Sequence, residues 1–381
     1  MGIIVGIDAS RNRSGGARAH IIGILSALNG KSPDNVDEVH VWSYDSLLNQ
    51  LPKYSWLIKH RHEDLEKGLI SQVYWQRVKL PKEAKISKID IMLNTDAGTV
   101  CRFFPSITMS RDMLSYEPGE MKRFGWSAQR LRLLALKLMQ NTSLKKSTAA
   151  IFLTKYAADA IQKSSGRIKN YTVIPHGVSD NFRLGKSAWS NSEKDIEPIN
   201  LIYVSNVAPY KHQIHVAKAI HYLKEKGYNL VLTLVGGGEG KSQQDLENYM
   251  NKHDSNHKFL IQKEFVKHSD LSSLIEKSDL FVFASSCENM PNTLIEGMCS
   301  GLPIACSNRG PMPEVLENGG VYFDPENYLS IAEAVETIIN DENLRLEKAK
   351  ISQNLSHKYS WERCAYETFD FLNKTYKTYN G

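Results

Sequence analysis

The chain alternates short apolar runs with helical segments along its whole length, and few folds accommodate this alternation. A polar, irregular stretch over residues 179–198 divides the strand-like runs into two series. The first series is Ile3–Ile7, Val39–Trp42, Ile89–Leu93, Ser106–Met109, Ala149–Leu153 and Tyr171–Ile174, and the second is Ile199–Ser205, Leu230–Val235, Phe259–Gln262, Leu280–Ala284, Pro303–Ala305 and Gly320–Phe323. Such alternation is typical of α/β layers built on parallel sheets. We therefore predict two doubly wound (Rossmann-like) domains that face each other across a cleft, with ligands beyond the carboxyl ends of the strands.

The break between the two series sets the expected domain boundaries. With 381 residues the chain is long enough for two domains of ordinary size. We expect an N-terminal domain over residues 1–180, a linker over 181–198 and a C-terminal domain over 199–360. A last helix over 361–381 is expected to pack back on the N-terminal domain.

Composition narrows the class of protein. The chain is 41% hydrophobic and 23% charged, as in globular proteins, and no apolar run is long enough to span a membrane. Asp8 and Arg11 interrupt the first apolar run, which favours a strand over a signal peptide. The five cysteines lack the spacing of zinc ligands, so we expect a reduced, cytoplasmic setting, with no metal and no cofactor.

Two glutamates, Glu288 and Glu296, follow the strand-like run Leu280–Ala284. Pro291 suits the first position of a helix and Gly301 the left-handed residue after it. Glu288 then lies in a loop and Glu296 on a helix. From the spacing alone, a pair of solvated charges is the commoner explanation. In this context, however, the pair could bind sugar hydroxyls while an anion binds the unpaired amides at the helix start, those of Asn292, Thr293 and Leu294.

Further polar or glycine-rich positions follow strand-like runs. Lys211 could neutralise a diphosphate, although a single lysine is usually a surface residue. Gly236 starts a glycine turn that is not a phosphate-binding loop, because Val235 occupies the position of its first glycine. The remaining candidates for contact with a sugar donor or with the acceptor of the sugar are Asn206, Gly15, Gly16, Arg111 and Arg309. Asp112, next to Arg111, could instead cap a helix.

Several blocks resemble the family-4 retaining glycosyltransferases of the GT-B fold, of the bacterial cell-surface polysaccharide type. These blocks cover nearly the whole chain and are Gly15–His20, Ile174–Val178, Leu234–Gly238, the Glu288–Glu296 stretch, Gly301–Ala305 and Tyr359–Arg363. The resemblance implies that Glu296 binds the ribose of a nucleotide, that Glu288 faces the donor sugar and the departing phosphate, and that Lys211 binds the diphosphate. Asn206 replaces an arginine of the family pattern, and Arg111 replaces a histidine.

The predicted function is the transfer of a hexosyl unit, with retention and without a metal ion, from a nucleotide diphosphate sugar. The acceptor would be lipid-linked or a polysaccharide, in O-antigen- or capsule-like synthesis. A nucleotide-sugar epimerase of similar fold and a non-catalytic nucleotide-sugar-binding protein remain alternatives. Nucleic acid is not an expected partner.

A basic stretch over residues 121–146 suggests a second partner. It contains seven basic residues and no acidic one, namely Lys122, Arg123, Arg130, Arg132, Lys137, Lys145 and Lys146. If the stretch is helical, Arg123, Arg130 and Lys137 share a face. The stretch could rest on anionic lipid at the inner face of the cytoplasmic membrane, or it could be the solvated face of a core helix.

Overall fold

The computed structural model describes residues 2–13, 15–189 and 197–380. It divides into two compact units. Unit 1 comprises Met1–Gly177 and Tyr359–Gly381, and unit 2 comprises Val178–Lys358. The chain thus enters unit 2 once and returns to unit 1 with its last helix.

Unit 1 is built on a parallel sheet of seven strands in the order β3-β2-β1-β4-β5-β6-β7. The strands are β1 Ile3–Asp8, β2 Val36–Ser43, β3 Leu57–Arg61, β4 Ile91–Asn94, β5 Ser106–Met109, β6 Ala149–Phe152 and β7 Tyr171–Val173. Strands β1, β4, β5 and β6 are largely buried and most of their residues are apolar, although Asn94, Ser106 and Thr108 are buried polar residues on β4 and β5.

Helices of unit 1 connect most of these strands and cover the sheet. They are α1 Gly15–Ser26, α2 Asp45–Leu48, α3 Leu69–Tyr74, α4 Leu80–Ile86, α5 Ala128–Lys146, α6 Lys155–Ser165 and the C-terminal α14 Trp361–Asn380. A π-helical segment, Trp75–Lys79, joins α3 to α4. Helix α14 packs on α1, where a side chain at Gly23 would collide with Trp361. The C-terminal helix therefore completes unit 1.

Unit 2 contains a parallel sheet of six strands in the order β10-β9-β8-β11-β12-β13. The strands are β8 Ile199–Val204, β9 Leu230–Val235, β10 Leu260–Lys263, β11 Leu280–Phe283, β12 Ile304–Ser307 and β13 Val321–Phe323. The helices are α7 Gln213–Glu225, α8 Lys241–His253, α9 His268–Glu276, α10 Asn292–Ser300, α11 Met312–Leu316, α12 Tyr328–Asn340 and α13 Glu342–Ser356.

Two differences from the sequence prediction concern a strand and the linker. Strand β3 was not expected, because only Leu57 and Ile58 in it are apolar and an edge strand needs little burial. The predicted linker is not a free connection over its described part, 181–189. Phe182 is fully buried there, and the Trp189 carbonyl accepts a hydrogen bond from Arg345 at 3.1 Å. Residues 190–196 lie outside the described residues.

No helix in the described parts of the chain is both long enough and apolar enough to cross a membrane.

Candidate functional site

The candidate site of unit 2 lies where the order of the strands reverses. Strand β8 pairs with β9 on one side and with β11 on the other, all in parallel. The loops that leave the carboxyl ends of β8 and β11 therefore meet at one edge of the sheet. Ligands of doubly wound sheets bind at this type of position.

Lys211 and Glu288 meet at this edge. Lys211 ends a short 3₁₀ segment, Pro209–Lys211, and its Nζ donates a hydrogen bond to Glu288 Oε1. Their side chains are only 12% and 15% exposed. The two loops are also joined through the backbone, because Ser286 N donates to the Tyr210 carbonyl at 2.8 Å. The two residues predicted as catalytic are thus direct partners, and each would leave the other as a poorly hydrated charge if removed.

Helix α10 begins one residue later than predicted. Pro291 is the N-cap and not the first helical residue, so the prediction for Pro291 was wrong by one position. The amide of Asn292 donates to the Met290 carbonyl at 3.0 Å, which removes it from the predicted anion site. In the described structure no carbonyl accepts from the amides of Thr293 and Leu294, which therefore remain able to bind an anion.

The two ends of α10 are fixed differently. Near its start, the Thr293 hydroxyl donates to the Val204 carbonyl at 3.2 Å and so ties the helix to the end of β8. At its end, Gly301 has a φ of +82°, as the sequence predicted. A Cβ at Gly301 would lie 2.1 Å from the Lys186 carbonyl oxygen, so both its conformation and its contacts require glycine.

Glu296 is a buried carboxylate with one oxygen satisfied and one not. Its side chain is 9% exposed, and its Oε1 lies 2.9 Å from His268 Nε2. Its Oε2 is buried and has no hydrogen-bond partner. Burial raises the pKa of Glu296, while the hydrogen bond and charge of His268 lower it. A buried acceptor without a donor is costly, so this oxygen is suited to accept hydroxyl hydrogen bonds from a ligand.

His268 was missed by the sequence analysis. It is the first residue of α9, after strand β10, and its ring packs against that of Phe182 in a T-shaped arrangement with 5.2 Å between ring centroids. The hydrogen bond to Glu296 raises the pKa of His268, and burial opposes the rise. Its position after a strand, at the start of a helix, was the signal that could have identified it.

The glycine turn after β9 packs against the chain itself. Gly236 has a φ of +123°, and a Cβ there would lie 2.2 Å from the Ser205 carbonyl oxygen. Val207 N donates to the Gly237 carbonyl at 3.0 Å. The backbone of the neighbouring loop therefore explains this glycine, and a contact of Gly236 with a donor stays a prediction. Asn206 is exposed on the same loop.

Arg309 lies in the loop that follows β12, close to the loop of Glu288. A Cβ at Gly310 would lie 3.7 Å from the Ser286 carbonyl oxygen. The Arg309 guanidinium donates to Asp324 Oδ1 at 3.1 Å, and both side chains are well exposed. Its role in binding a donor stays a prediction, because its charge is directed to Asp324.

The candidates of unit 1 also lie together. Helix α1 begins at Gly15, which has a φ of +56°, and Gly16 follows it. Arg111 donates to the Ala17 carbonyl at 3.2 Å, so its guanidinium lies at this first turn. Burial lowers the pKa of Arg111 to about 10. Asp112 caps no helix; its Oδ1 accepts from Leu114 N within a turn, so that alternative was wrong.

Part of the chain matches a known protein family. Residues 188–354 match the family described as glycosyl transferases group 1. The chain is 26% identical over 259 residues to the capsular polysaccharide biosynthesis glycosyltransferase CapM of Staphylococcus aureus. That match covers 62% of this chain and 66% of CapM, just under two thirds of the relative's length. The matched residues therefore show that most of unit 2 is similar to a glycosyltransferase group 1 domain.

Solved structures confirm the predicted fold class. Sucrose-phosphate synthase from Thermosynechococcus elongatus matches with a TM-score of 0.76 at 14% identity, over 99% of this chain and 100% of that one. Anabaena HepE, solved in complex with UDP and glucose, matches with a TM-score of 0.70 at 17% identity, over 97% and 98% of the two chains. At these identities the likeness shows the fold alone, two Rossmann-like parallel-sheet domains of the GT-B class.

Proposed function

We propose that this chain, in which most of unit 2 is similar to a group 1 glycosyltransferase domain, transfers a hexosyl unit from a nucleoside diphosphate sugar to a glycan or lipid-linked acceptor, with retention. The product would belong to a cell-surface polysaccharide such as a capsule or O-antigen. The likeness to CapM supports this class of product.

One observation carries the proposal: four groups suited to a nucleoside diphosphate sugar lie on loops and a helix at the carboxyl edge of one sheet. The amides of Thr293 and Leu294 and the ammonium of Lys211 provide positive charge for the diphosphate. The unpartnered Oε2 of Glu296 provides an acceptor for ribose hydroxyls. Glu288 lies beside Lys211, where it would face the donor sugar.

The charge arrangement also suggests how the donor is activated. As the bond to the sugar breaks, negative charge develops on the departing diphosphate, and Lys211 would stabilise it. Lys211 would then be shared between Glu288 and the phosphate. The leaving diphosphate would help to deprotonate the incoming hydroxyl on the same face of the sugar. Because protein groups supply the positive charge, we propose that the transfer needs no metal ion.

The exposed face of helix α5 supports a peripheral contact with anionic lipid on the cytoplasmic side of a membrane. Leu131, Leu134 and Leu138 lie on this face and are 66%, 42% and 69% exposed. Lys145 and Lys146 are exposed at the end of the helix. The predicted basic face was wrong in one of its three residues, because Arg123 lies outside α5 and pairs with Glu120, whereas Arg130 and Lys137 lie on the helix. The apolar face with its terminal lysines is the better candidate.

The membrane contact can be tested by co-sedimentation with vesicles. Replacing Leu131 and Leu134 by glutamine should reduce pelleting with phosphatidylglycerol vesicles, and high salt should reduce it for the unaltered chain. Equal recovery in the supernatant with anionic and neutral vesicles, at low and high salt, would refute the contact.

The donor site is tested by thermal unfolding with UDP, GDP, ADP and dTDP. One of them should raise the unfolding midpoint, because a ligand at a hundred times its Kd stabilises by about 2.7 kcal/mol. The corresponding donor should then release nucleotide only with an acceptor, and EDTA should not reduce the rate. Conversion of the donor without an acceptor would instead indicate an epimerase. Binding of a donor without turnover, across a panel of acceptors, would indicate a non-catalytic protein.

A further inference from the structure

A cavity in unit 1 lies beside two neighbouring strands that are not connected through a helix. Strands β4 and β5 are parallel neighbours, and such strands are usually connected through a helix that covers the sheet. Here residues 95–105 connect them without a helix. A cavity of about 570 Å³ lies beside this connection, bordered on another side by the second half of α5. Its size falls in the range of small-molecule sites.

The floor of the cavity is polar. Ser106 and Thr108 lie two residues apart on β5 and share one face of the sheet, and Asn94 on β4 pairs with Thr108. Asn94 Nδ2 donates to Thr108 Oγ1 at 3.3 Å, and the Thr108 hydroxyl is hydrogen-bonded to that of Ser147. The Ser143 hydroxyl, also in the lining, is buried without a partner. Hydroxyl and amide groups in such a network can exchange hydrogen bonds with the hydroxyls of a sugar.

The rim of the cavity is strongly basic. Arg77 from the π-helical segment, Arg102 from the connecting loop and Lys146 from the end of α5 all line it, and all three are exposed. No acidic residue lines the cavity, and none of these three side chains is paired with another described residue. Three cations that line one cavity without a counter-charge create a positive potential that favours an anion with several oxygens.

Apolar groups form the remaining wall. Phe104 is 45% exposed and Leu138 is 69% exposed, and both line the cavity. An exposed aromatic ring beside polar groups suits the apolar face of a sugar ring. Leu138 and Lys146 also belong to the exposed face of α5, so the cavity opens beside the surface that we assign to lipid.

We propose that this cavity binds a phosphate attached to a polyol, with the phosphate on Arg77, Arg102 and Lys146 and the hydroxyl groups on the polar floor. The inference rests on the proposed function, because it assigns the acceptor to the class of phosphate-bearing saccharides or lipid headgroups. A soluble sugar phosphate and the headgroup of a lipid share this chemistry.

The test uses the whole chain and a double variant, Arg102→Gln with Lys146→Gln. The matched control is Lys85→Gln, which removes an exposed charge at the end of α4 that neither lines the cavity nor lies on α5. Because all three side chains are exposed, neither protein should lose its fold. Calorimetry with glucose 6-phosphate, glucose and inorganic phosphate forms the first arm. Vesicles of phosphatidylcholine with equal charge from phosphatidylinositol or phosphatidylglycerol form the second.

Glucose 6-phosphate should bind more tightly than glucose or phosphate if the ligand is soluble. Preferential capture by phosphatidylinositol vesicles is expected if the ligand is a lipid. In either case the double variant should bind about tenfold more weakly or worse, and the control within about twofold. Binding that the double variant retains in full would overturn the proposal, as would no preference in either arm.

The outcome is separable from that of the donor site. The double variant should keep the thermal stabilisation by its nucleotide, since those groups lie in unit 2. A variant with Glu296→Gln should in turn keep its binding of the phosphate ligand. A failure of nucleotide binding alone would refute the proposed donor site and leave the binding result in unit 1 intact.

Discussion

Replacing Glu296 by glutamine separates the ligand-binding role of this carboxylate from its structural role. The substitution keeps the size and shape of the side chain and removes its charge. In the folded protein, Glu296 Oε1 is paired with His268 and Oε2 has no partner. The loss should therefore fall mainly on a ligand that uses Oε2.

The magnitudes of the two effects should differ. His268 is 63% exposed, so its pairing with Glu296 is screened by solvent and contributes at most about 1 kcal/mol. Relief from the burial of a charge offsets part of that loss, so the free energy of unfolding without ligand should change by less than about 1 kcal/mol. Hydrogen bonds from ribose to a charged acceptor contribute about 1.5–3 kcal/mol, so nucleotide affinity should fall by roughly 10- to 150-fold.

Calorimetric titration with the nucleotide that stabilises the chain measures this affinity, and urea unfolding measures stability. Glu333→Gln is the matched control, because Glu333 is an exposed glutamate of α12 in the same unit. Nucleotide affinity of the Glu296 variant within twofold of this control would refute the assignment. A loss of stability much above 1 kcal/mol would show that Glu296 is mainly structural.

Three further outcomes are expected. Lys211→Ala should slow donor turnover by raising its activation free energy by about 2.7–4 kcal/mol, whereas Lys252→Ala, at an exposed lysine, should not slow it. Turnover of the Lys211 variant near the wild-type rate would place the diphosphate elsewhere. Because the pKa of His268 is raised in the folded protein, its contribution to stability is complete below pH 6.5 and is lost as pH rises through the raised pKa. His268→Gln should therefore make the unfolding midpoint depend less on pH over this window. Parallel plots of midpoint against pH for the variant and the unaltered chain would contradict this. Gly301→Ala should lower the free energy of unfolding, measured in urea, by more than about 2 kcal/mol. Gly185→Ala should lower it by only about 1 kcal/mol, because Gly185 also has a positive φ, +64°, but has open space around it. Equal losses of stability in the two variants would refute the steric argument.

The sequence was most informative where one residue type has one physical use. Buried parallel strands are mostly apolar, so the runs at Leu230–Val235 and Leu280–Phe283 identified β9 and β11. A residue in the left-handed conformation after a helix is usually glycine, so Gly301 marked the end of α10. The exception was β3, Leu57–Arg61, which lies at an edge of its sheet and needs few apolar residues.

The candidate site was only partly accessible from the sequence. Family resemblance pointed to the glutamate pair Glu288 and Glu296 and to Lys211, but it did not indicate which side chains would form hydrogen bonds with one another. The partner of Glu296 is His268, which lies 28 residues earlier in the chain and was not noticed. A single histidine carries no sequence pattern, so only its place at the start of α9, after strand β10, indicates its use.

The sequence by itself determined the elements: which runs become strands, where helices end, and which loops carry polar groups. Tertiary structure decided which of those loops meet. Lys211 and Glu288 are 77 residues apart, and they pair because β8 lies beside β11 rather than only beside β9. That order results from helical crossovers packing on both sides of a parallel sheet, an interaction of whole faces that no local pattern encodes.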